Sequence, residues 1–172
     1  MIIAVLFLFV FPFPVAAEYV LPYPSYMPGN KLYTVSRIID RLKAFWYWGD
    51  IGQFRYHLTL SDKYLVEAKT LFDYKQYLLA ANALARSDLQ FSQTTVNLSS
   101  ARDHGKDISV LRQTLLRAET AHESVVRILL TDTPGTFTWT PERKAASYLD
   151  IHSMLEHSLR SDQSVASRAA SL

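Results

Sequence analysis

The chain of 172 residues contains no cysteine. Disulfides, thiolate metal sites, cysteine nucleophiles and a lipidated N-terminal cysteine are therefore excluded, and the core has to hold by packing alone. Glycine is nearly as scarce, with five in the whole chain and no glycine-rich loop ahead of a helix, so there is no backbone cradle for phosphate. Charge of one sign is lacking too. Eighteen Lys and Arg against sixteen Asp and Glu leave a formal net charge of +2, and the cations are scattered rather than striped, so the electrostatic footprint of a nucleic-acid binder is missing. No serine sits in a Gly-x-Ser-x-Gly elbow, and the five histidines show no local arrangement that would recruit a nucleophile.

The longest apolar run, MIIAVLFLFVFPFPV at residues 1–15, falls short of the roughly 20 residues that a membrane span needs. Val15, which closes it, and Ala17 place small residues at the two positions a signal peptidase reads, which reads as a signal peptide cleaved after Ala17; an uncleaved anchor is the alternative. The expected location is exported: periplasmic, cell-surface or secreted. The mature chain of about 155 residues suits one core.

From residue 18 the organisation expected is an arm over residues 18–31, a helical bundle over 32–160 and a disordered small-residue tail over 161–172. Apolar spacing of three and four predicts five helices. The first carries Leu32, Val35, Ile39, Leu42 and Trp46, and the second Phe54, Leu58, Ser61, Leu65, Ala68 and Phe72. Tyr77, Ala81, Leu84, Asp88, Phe91 and Leu98 mark the third, which ends near Gly105. Ile108, Leu111, Leu115, Ala118, His122, Val125 and Leu129 mark the fourth, with Asp107 or Ser109 as its cap. Thr140-Pro141-Glu142 reads as the start of a fifth, running to about Leu159. The fold class expected is all-α: an up-down antiparallel bundle of four long helices, a shorter fifth helix laid across it, and no sheet.

The segments EYVLPYPSYMPGNKLY, IIDRLKAF, LSDKYLVEAKTL and TFTWTPERKAASYLDIHSMLEHS are similar to a family of exported bacterial helical domains without an established function. Its marks are a Tyr-Val-Leu-Pro-Tyr-Pro arm before the first helix and a Trp-Thr-Pro-Glu start to the last. Ser25, Gly29 and Ile51 depart from the family's glycine, aspartate and proline. The resemblance implies a bacterial envelope location and a helical scaffold, and it supplies no reaction.

Two constellations resemble metal chemistry. Glu119 and His122 make a Glu-x-x-His pair, but a di-iron bundle needs a second such motif and two more glutamates, which the sequence does not provide. Asp150, His152, Glu156 and His157 cluster on the fifth helix, where His152 and Glu156 are one turn apart without a partner motif. No catalytic residue, cofactor or metal is therefore expected. Asn97-Leu98-Ser99 matches a glycosylation sequon inside a helix and reads as chance.

Two features exceed what a plain bundle demands. Phe45, Trp46, Tyr47 and Trp48 are four consecutive aromatics that cannot all face one core. The arm combines Pro22, Pro24 and Pro28 with Tyr19, Tyr23 and Tyr26, which makes it stiff before it docks. It is expected to strap the bundle and cover part of that aromatic run. The expected function is a non-enzymatic module of the bacterial envelope acting through protein–protein binding by Tyr19, Tyr23, Tyr26 and residues 45–48. Its partner would be an envelope protein or cell-surface component, with membrane contact through the aromatics and no stable span. The alternative is a small-molecule or metal-binding bundle with Asp88, Glu119 and His122 lining a pocket between helices.

Overall fold

A computed structural model describes residues 19–143 and 145–172. The expected signal peptide and its expected cleavage point lie outside the described residues. Those residues form five helices and a two-stranded sheet, in the order α1 (Lys31–Trp46), α2 (Gly49–Asp73), α3 (Tyr77–Asp103), α4 (Ser109–Asp132), β1 (Thr136–Trp139), β2 (Ser147–Asp150) and α5 (Ile151–Ala170). The fold is mostly helical and bundle-like.

Local chemistry sets the boundaries. Pro28-Gly29 makes a turn closed by Asn30 N–H to the Met27 carbonyl, with Gly29 at φ +98°, and the Asn30 side chain then caps α1 by accepting from Leu32 N–H. The α1–α2 corner is tight: a Cβ on Gly52 would lie 2.9 Å from the Tyr47 carbonyl carbon. Gln53 donates to the carbonyls of Ala44 and Tyr47 across the same corner. At this same end of α2, Asp50 accepts from Ser100, His104 and Lys106. Those hydrogen bonds hold its carboxyl well below the usual range. At the start of α4 the cap position is held by Ile108 rather than by Asp107 or Ser109; Asp107, one residue earlier, accepts from Ser109 N–H at 2.9 Å.

Helices α2 and α3 pair in reverse order, Asp50 with Ser100, His57 with Gln90 and Ser61 with Ser87. Small residues at Ser61, Ala68, Ala80, Ala83 and Ser87 let these two helices approach closely. Helix α5 reaches α3 through Ser158 and Asp88, and α4 through Asp162 and His122. One apolar cluster joins Leu65, Leu71, Phe72, Tyr77, Leu84, Leu129, Ile151 and Leu155; a second joins Phe54, Phe91, Leu98, Leu115 and Val165.

Three further expectations are corrected. Thr140-Pro141-Glu142 does not start a helix: it lies in the connection of a hairpin whose register pairs Thr136 with Asp150 and Phe137 with Leu149. The β-branched and aromatic residues of TFTW outweigh the capping signal, and Phe137 packs 4.9 Å from the Tyr77 ring. The true cap of α5 is Asp150, which accepts from Ser153 N–H. Residues 161–170 are helical rather than a disordered tail, because Leu159, Asp162, Val165 and Ala169 continue the buried seam. The shortest of the five helices is α1, at 16 residues, not the last.

Candidate functional site

Helix α1 departs most from its sequence reading. Its one buried residue is Asp40, whereas Leu32, Val35, Ile38, Ile39 and Leu42 are each about half exposed, at 47–52%. The expected seam therefore faces outward. The cause is on the opposite side of the helix, where polar groups meet α2. Lys63 pairs with Asp40 and donates to Ser36 at 2.9 Å, and Tyr56 donates to the Asp40 carbonyl. Tyr33 donates to Glu67 at 2.8 Å, and the Arg37 guanidinium lies over the Tyr64 ring at 4.9 Å. A partly buried ion pair and these hydrogen bonds would be left unsatisfied if the helix turned its apolar side in.

The aromatic run continues that outward face. Phe45, Trp46 and Trp48 are 77–84% exposed, and Tyr47 turns inward to meet Tyr56 at 5.8 Å between ring centroids. The arm does not cover them, which corrects the strap as first expected. It docks elsewhere, on the bundle, with Tyr19, Leu21 and Met27 packed on the two apolar clusters and Tyr23 and Val20 left exposed. Tyr26 is about half exposed. A groove of about 490 Å³ runs between arm, α1 and α2, lined among others by Tyr23, Tyr26, Val35, Ile39 and Lys43.

A second polar constellation lies inside the bundle. His122, essentially unexposed, is held through Nε2 by Asp62 at 2.8 Å and packs on Phe91 at 4.5 Å. Tyr19 reaches in from the arm and donates to the other oxygen of Asp62 at 2.6 Å. Burial, reinforced by the Asp62 charge and hydrogen bond, pushes the Tyr19 phenol well above its usual range. Asp162 stands 3.9 Å from His122 Nδ1, and its Oδ1 has no hydrogen-bond partner. Burial, with Asp88, Glu119 and Glu123 adding repulsion, pushes its carboxyl up to about 8.

Of the residues named for a pocket, His122 lies in this line, Asp88 accepts from Ser158 at 2.7 Å, and Glu119 is half-buried on α4, raised by burial and by Glu123. The α5 cluster is divided among other tasks: Asp150 caps the helix, His152 meets the Thr133 carbonyl, and Glu156 pairs with Arg160. His157 borders a shallow cleft beside Asp88. Among the described residues no three His, Asp or Glu side chains are grouped to hold a metal ion.

Protein-family models, curated proteins and solved structures were all compared with the chain, and none matches. Function must therefore be read from these surfaces. Sequence reasoning missed Asp62, Asp162, Asp40 and Lys63. Asp162 carried a signal, since it stands three residues beyond Leu159 on the α5 seam. Asp40 carried one as well, as the lone acid of α1 opposite its apolar stripe.

Proposed function

We propose that this chain is a non-enzymatic module of the bacterial envelope, exported by its leader, that works by binding another envelope component through the outward face of α1 and its aromatic corner. In this reading α2 to α5 form an up-down bundle that serves as scaffold, and the arm is a strap on that bundle. The reverse-order pairing of α2 with α3 and the two apolar clusters support the scaffold; the resemblance stated above and the apolar leader support the location. The observation that carries the proposal is the inversion of α1, which buries Asp40 and exposes Ile38, Leu42 and Trp46. A contiguous apolar face of that extent is uncommon on a protein that works alone. Crosslinking in the native cell, followed by mass spectrometry, tests it: specific crosslinks should form through α1 and disappear in an Ile38→Ser, Leu42→Ser variant. Crosslinks that survive that variant unchanged would overturn it.

A second reading, a small-molecule or metal-binding bundle, draws on the unpartnered Asp162 oxygen beside His122. A ligand there would have to displace the packing of Phe91 or the arm. Native mass spectrometry of protein purified without chelators decides it: a stoichiometric ligand lost on His122→Ala would put this reading first.

A further inference from the structure

The charge around the α1 face says what kind of surface it fits. At 100° per residue, Phe45, Ile38, Leu42, Val35, Trp46, Ile39 and Leu32 fall in one outward stripe roughly 140° wide. Arg41 borders one edge, Lys43 the other, and Lys31 stands at the N-terminal end; all three are exposed. The single acid of the helix, Asp40, is buried against Lys63, with the ammonium of Lys43 4.0 Å from its other oxygen, so Lys31 and Arg41 have no acid on α1 to offset them and Lys43 shares its only one with Lys63. An apolar stripe between cationic edges is the pattern of a helix lying in the plane of a lipid interface, where Lys and Arg keep their heads at the phosphates and Trp rings prefer the boundary.

We propose that the outward face of α1 lies on an anionic phospholipid surface, with Ile38, Leu42 and Trp46 entering the acyl boundary and Lys31, Arg41 and Lys43 at the phosphates. The proposal rests on the reading of α1 as the docking face and names its partner. Two further observations favour lipid over a second copy of the chain. A two-fold pairing of α1 helices would bring the cationic edges of both copies together with no exposed acid on the helix between them. The aromatic rings also gather at one end, beside the turn into α2, instead of spreading along the stripe as a helix-pair seam would require. No helix among the described residues is long and apolar enough to cross a membrane, so the association is with the surface.

The test uses the exported chain as recovered from its producing cell, carrying Trp139→Phe so that only Trp46 and Trp48 report. It is mixed with vesicles of phosphatidylethanolamine and phosphatidylglycerol, or of phosphatidylcholine alone. Expected are co-sedimentation with the anionic vesicles, a blue shift of tryptophan emission, and at least tenfold weaker binding to phosphatidylcholine. Reversing Arg41 and Lys43 to Glu should weaken anionic binding by about tenfold or more, since each cation near such a surface is worth several-fold. Ile38→Ser with Leu42→Ser should abolish binding while the melting temperature stays unchanged, which separates lost binding from lost folding. No binding to either vesicle, or equal binding to both that ignores the charge reversal, would overturn the proposal. A solution dimer dissolved by the double serine variant would overturn it in favour of a second copy and leave the docking face standing. If that variant were still retained normally in the cell envelope, the docking reading itself would fail.

Discussion

Helices α2 and α1 carry apolar residues at the same three-and-four spacing and place them in opposite directions. In α2, Phe54, Leu58, Leu65 and Phe72 are buried against α3 and the second half of the chain. In α1, Leu32, Val35, Ile39 and Leu42 stay about half exposed while Asp40 is buried. Periodicity therefore identifies a helix and its apolar stripe, but the polar side decides which way the stripe faces. Where that side carries groups with partners on a neighbour, as Asp40 has in Lys63 and Tyr33 in Glu67, the helix can be anchored by its polar side and display the other. Helix α2 offers no comparable alternative. Small residues at Ser61 and Ala68 invite close packing, and its own polar side is what receives α1.

The largest effect should come from the bundle. Phe91→Ala removes a fully buried ring that also supports His122, and chemical denaturation should show a loss of about 3–5 kcal/mol. Phe45→Ala, on the exposed α1 corner, should change the same midpoint by under about 0.5 kcal/mol. Comparable losses at the two positions would erase the contrast between the regions.

Next comes the anchor between them. Asp40→Ala leaves Lys63 partly buried without its partner, and should release α1 at a cost of about 2 kcal/mol. Hydrogen exchange would show this as faster exchange across α1, with the amides of α2 to α5 nearly unaffected. Faster exchange throughout would mean that α1 is part of the core after all.

Asp162 sharpens the comparison through pH. Its folded value is about 8 against an ordinary 3.8, so between those pH values the folded chain holds a proton that the unfolded chain has released. Stability from this group is therefore highest below about pH 4, falls as pH rises toward 8, and is flat beyond. Asp162→Asn should remove that fall and stabilise the protein by about 1–3 kcal/mol at pH 8, with little change at pH 4. Melting curves at the two pH values check the sign, and a variant that is destabilised at pH 8 would contradict it.

A smaller loss than that at the core or the α1 anchor is expected at the arm. Tyr19→Phe keeps the ring and removes one hydrogen bond to Asp62, for an expected loss of about 1–2 kcal/mol. Limited proteolysis within residues 20–28 should quicken in that variant.

These elements differ in how far they could be read from residues alone. The buried faces of α2 and α4 were legible because apolar residues recur there without competition, and even His122 took its seam position. The hairpin was not, because Thr140-Pro141-Glu142 looks like a helix start whichever way Phe137 and Leu149 pair, and that pairing is a tertiary event. The end of α5 was missed because Ser, Ala and an Asp fill its last three turns, and the apolar signal thins to Val165 and Ala169. At the candidate site, the aromatic corner could be found from four rings in succession. The cationic edges could be found only after Asp40 was seen to face inward.

The central claim is that the apolar face of α1 is displayed and contributes nothing to holding the fold. The direct measurement is the melting temperature of Ile38→Ser with Leu42→Ser beside that of the parent chain, in the absence of lipid or partner. Two aliphatic side chains about half exposed and facing solvent should leave the midpoint within about 1 °C, or raise it slightly as exposed apolar surface is lost. A fall of 8 °C or more would mean that these side chains pack in the folded monomer, and would contradict the account.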